Sequence, residues 1–376
     1  MRIGIEAQRI FRKNKHGMDY VVLQEILEIQ KIDKENEYFV FVKPGDDPCV
    51  SSTENVHVVE LECPSYPLWE QWALPRAAKK AKVDILHCTS NTAPIWCDIP
   101  LVLTLHDIIY LENREKESAS LYQNMGWHYR RLVVPHIVHH CARIITVSDF
   151  ERKNIMNKLD IPQERIQMIH NGYNETYAPL TDDKKIYLRY IKEPDYFFIL
   201  GNTDTRKNVE RMLIAYAEYL KSSTQKRKLL VTGLTSDYIQ QILKRNHIEY
   251  AMQDIRLTGY VPGDDLPYLY NDAFAFLFAS LREGFGIPII ESMACGTPVI
   301  TSNTSSMPEI GGPDAILVNP ERSDEIAAMM LKLENDKVFY QQQKTIGLER
   351  AKHFSWRKTT EHLLQLYKEV YEELSK

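Results

Sequence analysis

In "LREGFGIPIIESMACGTPVIT", residues 281 to 301, two carboxylates stand with seven residues between them around a glycine-flexed turn. Pro288 is placed to open a helix, where its missing N–H costs nothing. Gly296 is placed to end it in a left-handed cap, and Pro298 blocks continuation. The N–H groups of Gly286 and Ile287 then stand free at a helix N-terminus, which favours an anion. Glu283 and Glu291 would repel a bare phosphate, so the ligand this stretch suits has a charged middle and hydroxyl-rich ends. Glu291, expected in the first turn of the helix, can accept hydrogen bonds from a vicinal diol, as the acidic residue of dinucleotide folds does with ribose. Glu283 can reach hydroxyls at the other end. Ribose, diphosphate and sugar make a nucleotide-activated sugar. The plain alternative, one capping carboxylate and one solvent-facing Glu, leaves the spacing without a reason.

A second cluster is basic. In "GNTDTRKNVERMLIAYAEYL" a strand ends at Gly201, a helix begins near Asn208, and Arg206 and Lys207 stand just before it. Cations there oppose the helix dipole unless an anion arrives, so the pair reads as a diphosphate clamp. Taken alone, an Arg-Lys pair is more often two solvated charges. A second anion-friendly loop in the same half favours the clamp.

Short β-branched runs alternating with helical patterns must position these loops, which is the mark of parallel sheets with crossover helices. The first half holds "RIGIEA", "YFVFVK", "VHVVEL", "VDILHC", "PLVLTL", "RIITV" and "IQMIH". The second holds "YFFILG", "KLLVTG", "IRLTG", "AFLFAS", "PVITS" and "AILVN". Between them "NGYNETYAPLTDDKK", residues 171 to 185, carries turn residues and a charge run without apolar period, and reads as an interdomain connection. The expected fold is α/β, two doubly wound domains. Ligands of such sheets bind at the carboxyl ends of strands. Those ends hold Gly17, His106 with Asp107, Gly201 to Asn208, and Glu283 to Gly286. The loops come from both halves, which points to a cleft between domains.

With 376 residues, 44% hydrophobic and 26% charged, the chain suits two ordinary globular domains. A net charge of −5 argues against wholesale nucleic-acid binding. No apolar run reaches the ~18 residues of a membrane span. The opening "MRIGIEAQRIF" lacks the apolar region of a signal peptide. The six cysteines form no C-x-x-C pair. The expected setting is cytoplasmic and reducing.

The stretch E-G-F-G-I-P-I-I-E, followed by G-T-P-V-I, resembles the E-x7-E signature of retaining glycosyltransferase family 4. Further matches are "HDIIYLE" at 106 to 112, "VSDFERKNI" at 147 to 155, "NGY" at 171 to 173, "RKN" at 206 to 208, "TGYVPGDDLPYLYNDA" from 258, and "FSW" at 354 to 356. They run through nearly the whole chain. The resemblance implies the GT-B fold, two Rossmann-like domains facing a central cleft. An acceptor-side domain would cover 1–175 plus 357–376, its last helix crossing back, and a nucleotide-sugar domain 176–356. It implies that Glu291 binds ribose, and that Glu283, Gly284, Phe285, Gly286 and Ile287 hold the donor sugar and its diphosphate. Arg206 and Lys207 would stabilise the leaving diphosphate, and His106 would sit near the transferred sugar. Gly17 would let the first loop approach the phosphates, while Tyr260 and Val261 face the nucleobase. Many members place a basic residue directly after the strand's glycine, where this chain has Asn202, which leaves that role open to Arg206.

Retention of anomeric configuration is the family's outcome, so protein catalysis would be positioning and charge stabilisation. With cations at the leaving group and no D-x-D triplet to hold Mg²⁺, no metal and no cofactor beyond the nucleotide-sugar co-substrate is expected. The expected partners are that donor and a saccharide or lipid-linked acceptor, with peripheral membrane contact through the first domain. GDP-mannose and UDP-hexoses both fit. An epimerase on the same fold would consume donor without acceptor, and a degenerate subunit would bind donor without turnover. "HIVHHC" puts His136 and His140 one turn apart, read as structural histidines of a packed helix rather than zinc ligands. "YPLWEQWALPRAAKKAK", residues 66 to 82, reads either as a membrane-facing stretch or as a helix burying its tryptophans.

Overall fold

Every one of those apolar runs becomes a strand. In the computed structural model, residues 1–112, 121–181 and 184–375 are described. Residues 182–183 of the expected interdomain connection lie outside them. The chain divides into two compact units, Met1–Gly172 with Trp356–Lys376, and Tyr173–Ser355.

The first unit contains β1 (Arg2–Glu6), β2 (Glu37–Val42), β3 (Val56–Glu60), β4 (Ile85–Cys88), β5 (Leu101–Leu105), β6 (Arg143–Thr146) and β7 (Ile166–Met168). They form one parallel sheet in the order β3-β2-β1-β4-β5-β6-β7. Strands such as β4 and β5 are buried along their whole length, so helices must cover both faces. One face packs Ile3, Ile5, Val40 and Val102 against Ile26 and Ile29 of α1 (Gly17–Ile32). The C-terminal helix, Trp356–Leu374, adds Leu363, Leu366, Tyr367 and Val370 to that layer. The other face packs Leu86, Leu103 and Ile144 against Trp69 and Leu74 of the helical stretch Tyr66–Lys80, and against Val133, Val134 and Ile137 of α2 (Leu121–Ile137).

The returning helix is pinned by a buried polar contact. His87 Nδ1 lies 2.7 Å from the Tyr367 hydroxyl, and Nε2 lies 2.7 Å from Thr104 Oγ1. Burial, with His106 nearby, lowers the pKa of His87 to about 3, so the ring stays neutral with both nitrogens partnered.

The second unit holds β8 (Tyr196–Leu200), β9 (Leu229–Thr232), β10 (Ile255–Leu257), β11 (Ala273–Phe278), β12 (Val299–Ser302) and β13 (Ile316–Val318). Their order is β10-β9-β8-β11-β12-β13, again parallel. Its two helices nearest the site are α3 (Val209–Ser222) and α4 (Ile287–Ala294). In each sheet the strand order reverses direction once, between β1 and β4 and between β8 and β11. A ligand crevice is expected beside each reversal.

The division falls at Gly172/Tyr173 rather than after 175, and at Ser355/Trp356 rather than after 356. The reason at each place is an aromatic contact. The Tyr177 ring meets Tyr270 of the second unit edge-on at 5.9 Å, drawing its segment there. Trp356 packs against Tyr20 of α1, with ring centres 6.2 Å apart.

The six cysteines are free thiols. No described helix is long and apolar enough to cross a membrane. Among the described residues no group of three or more His, Cys, Asp and Glu side chains could hold a metal ion. His136 and His140 are exposed; it is Ile137, Val138 and Cys141 of that segment that pack inward, correcting the expectation of packed histidines.

Candidate donor site

The reversal between β8 and β11 gathers the basic loop and the glycine loop. After β8 the chain forms a short 3-10 turn, Thr205–Lys207, ended by Asn208 in a left-handed conformation (φ 57°). The buried Asn208 side chain donates to the carbonyls of Ala279 (2.8 Å) and Pro320 (2.7 Å), fastening the turn to the end of β11. The main chain closes the join, Leu281 N–H donating to the Arg206 carbonyl at 2.7 Å. This brings Lys207 Nζ to 2.7 Å from Glu283 Oε1, and to 5.6 Å from the Phe278 ring centre. A fixed ammonium and a carboxylate therefore stand together at the sheet's reversal.

Arg206 points to Asp204 instead. Its NH2 donates to Asp204 Oδ2 at 2.5 Å, and Nε to both carboxylate oxygens at 3.1 Å. Burial pushes the Asp204 carboxyl up, and the Arg206 bonds outweigh it, leaving Asp204 below its ordinary range. Sequence placed the two cations side by side with one role. The structure gives them different carboxylate partners, because adjacent residues in a 3-10 turn project in different directions.

The glycine loop opens α4 through Gly286 at φ 114° and ψ 51°, with proline in the helix's first turn and no side chain capping it. The far end matches the expected cap. Gly296 has φ 76°, its N–H donates to Met293 O (2.9 Å), and Thr297 N–H to Ser292 O (3.0 Å), the paired bonds of a Schellman motif. An alanine at 286 would be forced into a conformation L-residues rarely adopt, with its Cβ 3.0 Å from Ile289 Cδ1. Gly286→Ala is expected to cost about 1–3 kcal/mol. Urea denaturation followed by circular dichroism checks this as a lowered midpoint with unchanged slope.

Glu291 requires a correction. It is the fifth residue of α4 rather than part of its first turn. It is buried, with the Tyr270 hydroxyl 3.5 Å from Oε2 and Tyr177 also bonded to it. Burial raises its pKa to about 7, the two tyrosines pulling partly back. Phe285 differs too: its ring is buried, edge-on to Phe354 at 5.9 Å, so this residue offers a ligand its backbone. Gly284 and Ile287 flank the same turn, at the loop's middle and the helix's first position. Tyr260 is exposed beside buried Val261, in the loop following Gly259 at φ 66°.

Gly17 and His106 belong to the first unit. Gly17 begins α1 instead of lying in the loop before it, because His16 N–H donates to Asp19 Oδ2 (3.0 Å) and closes a capping box. A side chain at 17 would meet no protein atom within 4 Å. His106 follows β5, buried, with Nε2 2.9 Å from the Thr89 carbonyl and its N–H bonded to Asn91 Oδ1 at 2.7 Å. Burial holds its pKa below the ordinary value, against the opposing pull of the Thr89 carbonyl, Asp107 and Asp19.

Residues 34–177 match the model described as Glycosyltransferase Family 4, and residues 182–350 that described as Glycosyl transferases group 1. The chain belongs to this glycosyltransferase family. Among its relatives, the O-antigen chain mannosyltransferase B of Escherichia coli is 34% identical over 232 residues, 60% of this chain and 60% of that one. The serotype-specific mannosyltransferase WbdA of Escherichia coli is 30% identical over 308 residues, 76% of this chain and 36% of that one. The matches thus span well under the full length of these relatives. The solved sucrose-phosphate synthase from Thermosynechococcus elongatus shares the fold, with TM-score 0.77, 19% identity, and 99% of each chain covered. Anabaena HepE in complex with UDP and glucose does so at TM-score 0.73 and 16% identity, over 98% of this chain and 100% of that one. The fold of this glycosyltransferase is GT-B.

Sequence reasoning missed the residues that hold the glycosyltransferase's glycine loop in place. Ser305 Oγ accepts from Glu283 N–H (3.1 Å) and donates to Glu283 O (2.6 Å), while Ser306 Oγ donates to Phe285 O at 2.8 Å. Tyr177 and Tyr270, which surround Glu291, were also unforeseen. The available signal for the serines was "TSSMP", residues 304 to 308, a turn-forming run just after β12, while nothing local marks the two tyrosines.

Proposed function

We propose that this chain is a retaining hexosyltransferase that moves a sugar from a nucleotide-diphosphate donor to a hydroxyl of a saccharide or lipid-linked acceptor in polysaccharide assembly. Mannose is the favoured sugar, in keeping with the two mannosyltransferases of Escherichia coli, which make GDP-mannose the first donor to try. The observation that carries the reading is the Lys207–Glu283 contact beside the N-terminus of α4. An arriving diphosphate competes for the ammonium and the free N–H groups, and the sugar's hydroxyls take up the released carboxylate. That exchange suits a ligand with both parts and no ligand with one.

In this reading the bond between the anomeric carbon and the diphosphate oxygen breaks as the acceptor oxygen bonds to the same face. The acceptor's proton passes to the departing phosphate oxygen. Negative charge grows on the diphosphate, where Lys207 and the helix N-terminus stand to stabilise it. Glu291 holds the ribose diol. His106, whose ring the Thr89 carbonyl fixes at the end of β5, is assigned to the transferred sugar on the family resemblance alone.

Incubating the purified protein with GDP-mannose or UDP-hexoses and a mannose-terminated acceptor, followed by proton NMR, tests the reading. A new glycoside with the donor's anomeric configuration supports it, and an inverted product overturns retention. A donor epimer formed without acceptor would make the chain an epimerase. Activity is expected to persist in excess EDTA, since protein cations neutralise the diphosphate. Loss in EDTA restored by Mg²⁺ would overturn metal independence.

A further inference from the structure

The first strand ends on a carboxylate. Glu6 closes β1 after Ile3 and Ile5, and it is fully buried beside the β1–β4 reversal of the first sheet. An apolar residue would complete such a strand, and a buried carboxylate is costly unless donors hold it. Oε1 accepts from Gln8 N–H at 3.0 Å. Oε2 accepts from Thr89 N–H at 3.3 Å and from the Thr89 hydroxyl at 3.0 Å, and that hydroxyl also lies 2.7 Å from the Glu6 carbonyl. Both donors of Thr89 therefore end on Glu6. Thr89 directly follows β4, so the carboxylate fixes how the chain leaves that strand.

The remaining polar group of Thr89, its carbonyl, lies 2.9 Å from His106 Nε2. A carbonyl can only accept, so Nε2 carries a proton. Asn91, in the same loop, is buried at φ 67° and accepts His106 N–H on Oδ1 at 2.7 Å. Ring and backbone of His106 are thus both held by the loop that Glu6 anchors. Burial keeps the ring neutral against the pull of Asp107 and of Asp19 on α1, with His87 of β4 also close. A neutral imidazole has one N–H, so Nδ1 is left as an acceptor. Nδ1 bonds to no described residue and yet is not one of the buried unpaired atoms, so it opens onto solvent.

We propose that Glu6 is a positioning residue that sets the tautomer of His106: by holding Thr89 it keeps the proton on Nε2 and presents Nδ1 as an acceptor for a ligand hydroxyl. No proton is transferred, because the hydroxyl donates to the lone pair and keeps its hydrogen. A ligand group with lone pairs alone, such as a carboxylate, is repelled at the same place. The position of the proton concerns the first unit alone. Only the kinetic consequence rests on the donor reading, in which His106 stands near the transferred sugar.

Nitrogen NMR of the full chain, isotopically labelled at histidine, tests the proposal, with His106→Gln identifying the signal. At neutral pH His106 is expected as one neutral tautomer protonated on Nε2. Thr89→Val removes the hydroxyl that reaches Glu6, and Glu6→Gln turns an acceptor oxygen into a donor. Both should let the Nδ1–H form appear. Thr89→Ser keeps both donors and should give the wild-type signal. The Thr89 pair carries the test should Glu6→Gln fail to fold. In kinetics Thr89→Val should lower kcat about fivefold to tenfold, the worth of one hydrogen bond, with donor KM little changed and Thr89→Ser equal to wild type. A wild-type His106 protonated on Nδ1, or on both nitrogens, overturns the proposal. So does a pure Nε2–H signal in Thr89→Val, even with a lower kcat, since Glu6 would then be structural only. The expected shifts in a protein that transfers no sugar to any acceptor would support the proposal and overturn the donor reading instead.

Discussion

Replacing Lys207 with alanine is expected to lower kcat by about a hundredfold or more, by analogy with removing one preorganised donor from a developing charge. Charge grows on the diphosphate as the glycosidic bond breaks, so a fixed ammonium binds the transition state more tightly than the intact donor. Donor Kd should change much less. The geometry adds a second expectation. Lys207 is held 2.7 Å from Glu283, so Glu283→Gln removes the charge that fixes its direction and should also lower kcat. Lys207→Arg should rescue part of the activity, because a planar guanidinium presents its charge with different geometry. Steady-state kinetics with saturating acceptor check all three. A raised KM with intact kcat in Lys207→Ala would make the lysine a uniform binding group.

The second large effect concerns Glu291. Its loss is expected to weaken donor binding on the order of tenfold to a hundredfold, the worth of a charge-assisted hydrogen bond of about 1.5–3 kcal/mol. Titration calorimetry with the nucleotide sugar reads this directly, and an unchanged Kd in Glu291→Ala would remove the residue from the ribose site. The pH dependence has a definite sign. The folded pKa of about 7 lies above the ordinary 4.5, so between those values the folded protein keeps a proton that the unfolded chain releases. Stability from this group is full below the lower value and is lost as pH rises toward the higher. Glu291→Gln cannot ionise and should remove that slope. Donor affinity runs the other way, because the ionised carboxylate accepts more hydroxyl hydrogen bonds. In the wild type it should rise with pH up to about 7 and then level off, whereas Glu291→Gln should be flat.

The strands were legible because a parallel strand covered on both faces must be apolar along its whole length. Runs such as "PLVLTL" and "AFLFAS" announce that without any partner in view. The glycine loop was legible for a similar local reason, since Gly286 and Gly296 both take the positive φ that their positions demanded. The ion pair was not. Lys207 and Glu283 lie 76 residues apart, and they meet because Asn208 and the Leu281–Arg206 bond join two strand ends. Nothing local in either segment specifies that join. Glu291 was placed a turn too early because the helix starts at Ile287, and a shift of one or two residues decides which turn a side chain occupies. The environment that sets its pKa comes from Tyr177 and Tyr270, whose approach is purely tertiary.

The return of residues 356–376 to the first unit means that one body of this protein is encoded as an insertion within the other. During synthesis the ribosome releases Tyr173–Ser355 as an uninterrupted stretch, able to close its own core as soon as it clears the exit tunnel. The other body must wait for residues that follow the insertion. Ile3, Ile5 and Val40 lack the cover of Leu363, Leu366 and Val370 until the last turns have been translated. The usual order of maturation, first made and first folded, is therefore expected to reverse here. A sheet made before the helix that covers it is expected to keep an apolar face within reach of chaperones until that helix follows.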